Sequence, residues 1–292
     1  MNFHIGYNLI GGLKMNVGIV VNENKQDAAG SYEKLADAFR RKGVSVFIAG
    51  KHEDSGDVYD KSDIIISIGG DGTFLRVAGR AVKRNIPVFG FNLGTIGFLT
   101  EFEKGSIDTT VERICKGDYK LEERSVLDVS VIRDGVNHFI GNAINDAVVT
   151  REVMANTCQL SLNVNGSYVG TYTGDGIIVA TQTGSTAYSL SAGGPIIEPG
   201  NDVILITPIC SQKMGSRTIV ARPESVVSIK PVAKSKKIRL IIDGHIGEKI
   251  EPEDTLICEC SERKMKILRI DPPNFYSAVS GKLFGESRTT EE

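Results

Sequence analysis

Hydrophobic and polar positions change rhythm once along the chain, near residue 120. Before that point, short apolar runs alternate with stretches of helical period. Val17–Val21 reads as a buried strand. The segment SYEKLADAFRRKG sets Leu35, Ala38 and Phe39 on one helical face, with a basic last turn and Gly43 as its stop. Val44–Ile48 predicts a second strand, and DIIISI at 63–68 a third, apolar enough to be buried on both faces. Thr73–Arg84 predicts a helix that ends before Pro87, and Val88–Phe91 a fourth strand. Ser106–Lys116 predicts another helix, with Ser106 as N-cap and Gly117 just past its end. Such an order specifies an α/β domain with a parallel, doubly wound sheet.

After residue 120 the period becomes two. Leu127, Val129 and Val131 alternate with outward positions and lead to Asp134-Gly135, a hairpin signal. Leu160, Leu162 and Val164 alternate again before Asn165-Gly166. Further strands are expected at 176–181, 203–207, 226–230, 238–243, 255–259 and 265–270, with one short helix after Thr186. This half is an all-β domain, and no repeat of 20–50 residues is evident. The expected division is an extension at 1–14, an α/β nucleotide-binding domain at 15–120, a β-rich domain at 121–271 and a C-terminal segment at 272–292. Tyr276–Phe284 fits a short helix, and ESRTTEE at the end is expected to fray. Residues 1–14 lack the basic start and apolar stretch of a secretory signal, and Met15 directly precedes the first strand. They are expected to be dispensable.

Charge excludes more than it identifies. Lys and Arg number 34 against 36 Asp and Glu, so no basic field points to nucleic acid. Hydrophobic residues make up 41% of the chain, enough for large cores. No run of 18 apolar residues appears, so no membrane partner is expected. Five cysteines occur without metal-ligand spacing; Cys258 and Cys260 would share one strand face as reduced thiols, which fits a cytoplasmic protein. Glycine is the anomaly, 32 of 292 residues against a norm of roughly 7%, and it gathers at turns.

Three of those turns carry chemistry. In IIISIGGDGTFLR, a buried strand runs through Gly69, Gly70, Asp71 and Gly72 into a helix beginning near Thr73. Small residues before a helix N-terminus make a phosphate cradle, here at the carboxyl end of a parallel strand. The three glycines are expected to supply positive φ angles. Asp71 is out of place in such a cradle unless it holds a metal or accepts a proton from an attacking hydroxyl; the plain alternative is a helix cap. Arg76, one helical turn on, is placed to neutralise phosphate or simply to face solvent. The second turn, Thr183-Gly184-Ser185-Thr186 after the strand 177–181, is hydroxyl-rich, with its amides expected to aim outward and Asp175 standing just before the strand. Two such turns read as two halves of one cleft. The third is Asn145-Asp146, an acceptor and donor pair suited to a sugar diol, or an Asx turn.

GGDGT at 69–73, AINDAVV at 143–149, GDGIIVAT at 174–181 and TGSTAYSLSAGGP at 183–195 together resemble the motifs of NAD kinases. NLGTIGFLTE at 92–101, IDGH at 242–245 and the C-terminal FYSAVSGKLFG agree. The resemblance implies phosphoryl transfer from ATP, or polyphosphate, to the 2′-hydroxyl of the adenosine ribose of NAD, with a divalent metal such as Mg²⁺. It implies Asp71 as proton acceptor, with Gly72 at the nucleotide. NAD contacts would come from Asn145, Asp146, Asp175 and the segment Thr186, Ala187, Tyr188, Ser189, Leu190 and Ser191. Asn156, Thr173 and His245 fall at further matched contact positions. No side chain is assigned as a metal ligand. An α/β N-domain, an all-β C-domain, a C-terminal segment packed back on the first domain, and a homodimer or homotetramer are also implied. Three departures stand out: Asp146 where many members have Glu, Gln182 where Pro is common (expected to loosen the turn), and His245 in place of Gln. The alternatives are a lipid or sphingoid kinase on a related scaffold and a non-catalytic NAD(P) binder.

Overall fold

The computed structural model describes residues 15–21, 28–50, 56–92, 97–102, 107–152, 156–232, 237–272 and 274–285. The expected extension at 1–14, the Ser106 cap and the final ESRTTEE lie outside the described residues. The chain divides into two units, 1–123 with 265–292, and 124–264.

The first unit alternates β1 (Asn16–Val21), α1 (Ala28–Arg41), β2 (Ser45–Gly50), α2 (Gly56–Asp60), β3 (Ile64–Ile68), α3 (Asp71–Val82), β4 (Val88–Asn92), β5 (Glu101–Phe102), α4 (Ile107–Lys116) and β6 (Lys120–Arg124). Strands β2, β1, β3 and β4 lie side by side and parallel. Every residue of β3 and β4 is buried, as an apolar run covered on both faces requires. Leu35, Ala38 and Phe39 of α1 and Val111 and Ile114 of α4 pack with β1, β3 and β4 in one core.

The second unit holds β7 (Leu127–Arg133), β8 (Val136–Ala143), β9 (Asp146–Arg151), β10 (Cys158–Val164), β11 (Ser167–Gly174), β12 (Gly176–Thr181), α5 (Tyr188–Ser191), β13 (Ile204–Ile209), β14 (Ile219–Ala221), β15 (Val227–Pro231), β16 (Ile238–Ile242), β17 (His245–Ile250) and β18 (Thr255–Cys260). They form two antiparallel sheets of six strands, β11-β10-β15-β18-β7-β8 and β14-β13-β12-β9-β16-β17. Leu127, Val129, Leu160, Leu162, Val149, Val179 and Leu240 share the core between them. The turn pairs Asp134-Gly135 and Asn165-Gly166 both have positive φ, as two-residue hairpin turns demand, and Asp243-Gly244 repeats the pattern. On the second sheet's other face, Val148, Ile178, Ala180 and Leu205 are covered by Ala192 and Ile197 from the loop after α5.

One boundary differs from the sequence reading. Strand β19 (Met265–Arg269), expected inside the β-rich domain, joins the first unit's sheet beside β4, in parallel, with β6 on its other side. Met265, Ile267, Leu268 and Arg269 are all buried. A strand buried on successive residues suits the interior of an α/β sheet better than a two-period sandwich. The C-terminal helix α6 (Phe275–Val279) follows, capped by Asn274, whose side chain accepts from the amides of Tyr276 and Ser277.

Candidate functional site

In the first unit the glycine turn leaves β3 directly. Gly69 donates its amide to the Phe91 carbonyl at 3.0 Å, and Gly70 takes the N-cap position of α3 with no side-chain cap bond. Of the three glycines expected to supply positive φ, Gly69 alone does so, at +156°; Gly70 has φ −89°. Space restricts Gly69 as well. A Cβ on Gly69 would press on Thr73 Oγ1 at 2.6 Å, whereas one on Gly70 or Gly72 would meet nothing within 4 Å. The mouth of α3 therefore stays open; Thr73 donates its amide to the Gly70 carbonyl at 2.9 Å, which leaves the amides of Asp71 and Gly72, at the very start of the helix, with no helix carbonyl behind them.

Asp71 is the first residue of α3 and does not cap it. Its carboxylate turns to the 97–100 loop. Oδ2 accepts from the Phe98 amide at 3.0 Å and from Lys282 Nζ at 3.1 Å; Oδ1 accepts from the Leu99 amide at 3.3 Å and Thr100 Oγ1 at 3.2 Å. Gly97 is buried against this carboxylate, and any side chain there would overlap it. Arg269, 5% exposed, ties the other side of the loop: it donates to the Leu99 carbonyl at 3.1 Å and to Glu122 at 2.7 Å. Arg76 sits one turn along α3, half-buried, with its Nη2 buried and without a hydrogen-bond partner.

In the second unit a hollow of about 430 Å³ is lined by Asn145, Asp146, Val148, Thr150, Ala187, Tyr188, Ile241, Asp243 and Gly244. Its floor is the outward face of β9 and β16. The Asp243-Gly244 turn closes one side. Asp243 accepts three successive amides, from Ile144 at 2.8 Å, Asn145 at 2.7 Å and Asp146 at 3.0 Å. From the opposite side, Thr181 donates its hydroxyl to the Ile144 carbonyl at 2.6 Å and its amide to the Asn145 carbonyl at 2.9 Å. Gly184 lies so close to the Asn145 carbonyl that no Cβ fits there. The Asn-Asp pair is thus set between two turns and has little freedom of its own.

Burial pushes the Asp146 carboxyl up to about 7, with the neighbouring Asp243 adding to it. Burial raises Asp243 too, but its three amide donors and His245 pull the other way. The three amide donors favour the charged form of Asp243, so of the two carboxyls protonation is favoured at Asp146.

The models of the ATP-NAD kinase N-terminal and C-terminal domains match residues 57–119 and 144–270. An NAD kinase of Thermoanaerobacter sp. (strain X514) is 39% identical over 229 residues, 78% of this chain and 81% of its own length. The chain belongs to the NAD kinase family. An NAD kinase of Acetivibrio thermocellus is 32% identical over 286 residues, covering 94% of this chain and 99% of that one. The crystal structure of yeast NADH kinase complexed with NADH has the same fold, with a TM-score of 0.81 over 96% of this chain and 91% of that chain, at 22% identity. An Archaeoglobus fulgidus NAD kinase solved in complex with ATP matches at TM-score 0.75 and 26% identity, over 94% and 100% of the two chains.

Of the positions that the NAD kinase resemblance marked, Asn145, Asp146, Ala187 and Tyr188 line the hollow. The others stand outside that lining. Asp175 pairs with Arg151 at 2.8 Å, and Thr173 Oγ1 accepts from Gln159 at 3.3 Å. Thr186 donates to the Thr183 carbonyl at 3.4 Å, and the fully buried Ser189 shares a 2.8 Å bond with Thr207. Leu190 is half-buried; Asn156, Ser191 and His245 are exposed.

Two expectations for the second turn are corrected. Its amides do not aim outward: Thr183 and Gly184 donate to Thr181 Oγ1, and Ser185 to the Gln182 carbonyl. Nor does Gln182 loosen it. Its φ of −58° is one that proline would also adopt, and its side-chain Nε2 donates to Asp202 Oδ1 at 2.9 Å. Asp243, Thr181, Arg269 and Lys282 were not anticipated. The Asp-Gly pair in IDGH carried the same hairpin signal as Asp134-Gly135, which could have revealed Asp243.

Proposed function

We propose that the chain is an NAD kinase, transferring a phosphoryl group from ATP to the 2′-hydroxyl of the adenosine ribose of NAD. One observation carries this reading: a glycine turn that opens a helix mouth beside the Asp71 carboxylate, in a chain that belongs to this family. The turn supplies amides for phosphate. Asp71 supplies the acceptor that a poorly nucleophilic hydroxyl needs as its P–O bond forms. Gly69, Gly70, Gly72 and Thr73 shape the cradle, and Arg76 offers a cation. Asn145 and Asp146, at the hollow, bind hydroxyls of the dinucleotide, with Tyr188 and Ala187 beside them. Asn156, Thr173, Asp175, Thr186, Ser189, Leu190, Ser191 and His245 remain proposed contacts of NAD.

A divalent ion, taken here as Mg²⁺, neutralises donor phosphate charge when bound. Among the described residues no three His, Cys, Asp or Glu side chains converge on a metal position. These side chains do not fit a protein-built cage. The five unpaired thiols support a cytoplasmic location. No described helix is long and apolar enough to cross a membrane. Exposed Val136, Phe139, Tyr168 and Val169 on β8 and β11 support self-association into a homodimer or homotetramer.

The deciding experiment separates products after incubation with ATP or polyphosphate as donor, and NAD, NADH or diacylglycerol as acceptor. NADP from ATP and NAD supports the reading; a phosphorylated lipid, or binding without product, would overturn it.

Asp146 makes the acceptor side pH-dependent. With its carboxyl at about 7, it is mostly protonated at pH 6 and mostly charged at pH 8. A protonated carboxyl offers fewer acceptor sites to ribose hydroxyls, so NAD affinity is expected to rise with pH across this window. The fold responds with the opposite sign. The folded chain holds this proton more tightly than the unfolded chain does, so stability declines as pH rises from near the ordinary 3.8 to about 7, then levels. Calorimetric titrations and melts at several pH values check both trends, and D146N should flatten them.

A further inference from the structure

The Asp71 carboxylate is full. Two oxygens offer about four acceptor positions, and all four are taken, two on each oxygen. A substrate hydroxyl that is to give its proton to Asp71 must first displace a donor. Three of the donors cannot leave easily. The amides of Phe98 and Leu99 belong to a loop whose carbonyls face Arg269, and the Thr100 hydroxyl also accepts from Asn92 Nδ2 at 3.3 Å. The fourth is different. Lys282 lies on the C-terminal stretch Ser280–Phe284, a turn of π-helix after α6. Its side chain is about one-third exposed. The ammonium rests over the Phe98 ring, 4.5 Å from the centroid, and that ring packs on Phe275 of α6 at 6.3 Å. A four-carbon stem lets the ammonium move while the backbone stays.

We propose that Lys282 is a phosphoryl-binding residue that rests on Asp71 between turnovers and exchanges that carboxylate for the transferred phosphoryl group when substrates arrive. When this partly exposed ammonium gives up its carboxylate, the anion that arrives at this turn to meet it is phosphate. The proposal rests on the reading of Asp71 as proton acceptor. The exchange balances. The acceptor hydroxyl gives its proton to Asp71, and its oxygen lone pair forms the new P–O bond. The bond from the γ-phosphorus to the bridging oxygen breaks, and its electron pair leaves with the nucleoside diphosphate. Lys282 keeps its proton throughout, and its positive charge meets charge that develops on the phosphoryl oxygens.

The test compares wild type, K282M, K282R and D71N in the full chain, by NADP formation from ATP and NAD and by calorimetry of NAD alone. K282M is expected to lose about 10²-fold in kcat, and K282R to recover part of it. Calorimetry should show NAD binding to K282M no weaker than to wild type, because the competitor for Asp71 is gone. A residue that only anchored the C-terminal segment would weaken binding, lower the melting temperature and leave no such split. Unchanged kcat in K282M, or equal losses of kcat and NAD affinity, overturns the proposal while leaving the kinase reading intact. A wild type that forms no NADP overturns the kinase reading itself.

Discussion

Asp71→Asn is expected to lower kcat for NADP formation by about 10²–10⁴-fold, the usual contribution of a positioned proton acceptor. That is roughly 3–5 kcal/mol of barrier. KM for NAD should change little, because the lost interaction belongs to the transition state. The substitution is not silent in the resting protein. Asparagine replaces one acceptor oxygen with a donor, and the cradle around residue 71 consists of donors: two amides, a hydroxyl and an ammonium. The Thr100 hydroxyl can turn to accept, but an amide is then left without its partner, at a cost of about 1–3 kcal/mol. A modest fall in melting temperature should therefore accompany the loss of rate. Calorimetry of NAD binding separates the two effects. Full NAD affinity with collapsed turnover supports the base; near-normal turnover with a weakened fold assigns Asp71 to structure alone.

Local signals explain which parts of this arrangement were legible in the sequence. Strand β3 was readable because four isoleucines in five successive positions, ended by glycines, have few other uses. The hairpins at 134–135 and 165–166 were readable because Asp-Gly and Asn-Gly tolerate positive φ at both positions. Asp71 was singled out because a carboxylate among phosphate-binding glycines needs a reason. What held it was not legible. Phe98, Leu99 and Thr100 reach Asp71 across 27 to 29 residues, and Lys282 across 211. No periodicity encodes such separations. Strand β19 is legible as a strand but not by unit, because Met265 and Ile267 fit a two-period face as well as a strand covered on both sides. The burial of Leu268 as well reveals a strand covered on both faces. The Asn145-Asp146 pair gave its polarity but not its rigidity, which comes from Thr181 and Asp243, 37 and 99 residues from the adjoining Ile144 that they also bond.

Arg269→Met is the substitution expected to damage the first unit most. The guanidinium is nearly inaccessible and gathers four partners: Glu122 at 2.7 Å, Glu101 at 3.7 Å, and the carbonyls of Leu99 and Phe98 at 3.1 and 3.5 Å. Methionine fills similar volume but leaves the buried Glu101 without its cation. That carboxyl is already raised by burial, and its remaining support is the amides of Ile270 and Asp271. Breaking a buried pair from one side costs about 3–5 kcal/mol, which corresponds to a fall in melting temperature of roughly 10 °C for a unit of this size. The loss should be smallest in acid, where Glu101 takes a proton, and should grow as pH rises and the uncompensated charge must form. R269K restores charge without the fork that spans two carbonyls and two carboxylates, so it should recover only part of the stability. The damage also reaches the chemistry. Phe98 and Leu99, the residues whose carbonyls lose this partner, are also those whose amides hold Asp71, so kcat should fall even at temperatures where the variant is folded. Thermal melts at several pH values, paired with rates taken well below each melting temperature, check both effects. A melt equal to that of wild type would mean that the hydrophobic packing of β19 suffices and that the buried cation is not what orders the loop beneath Asp71.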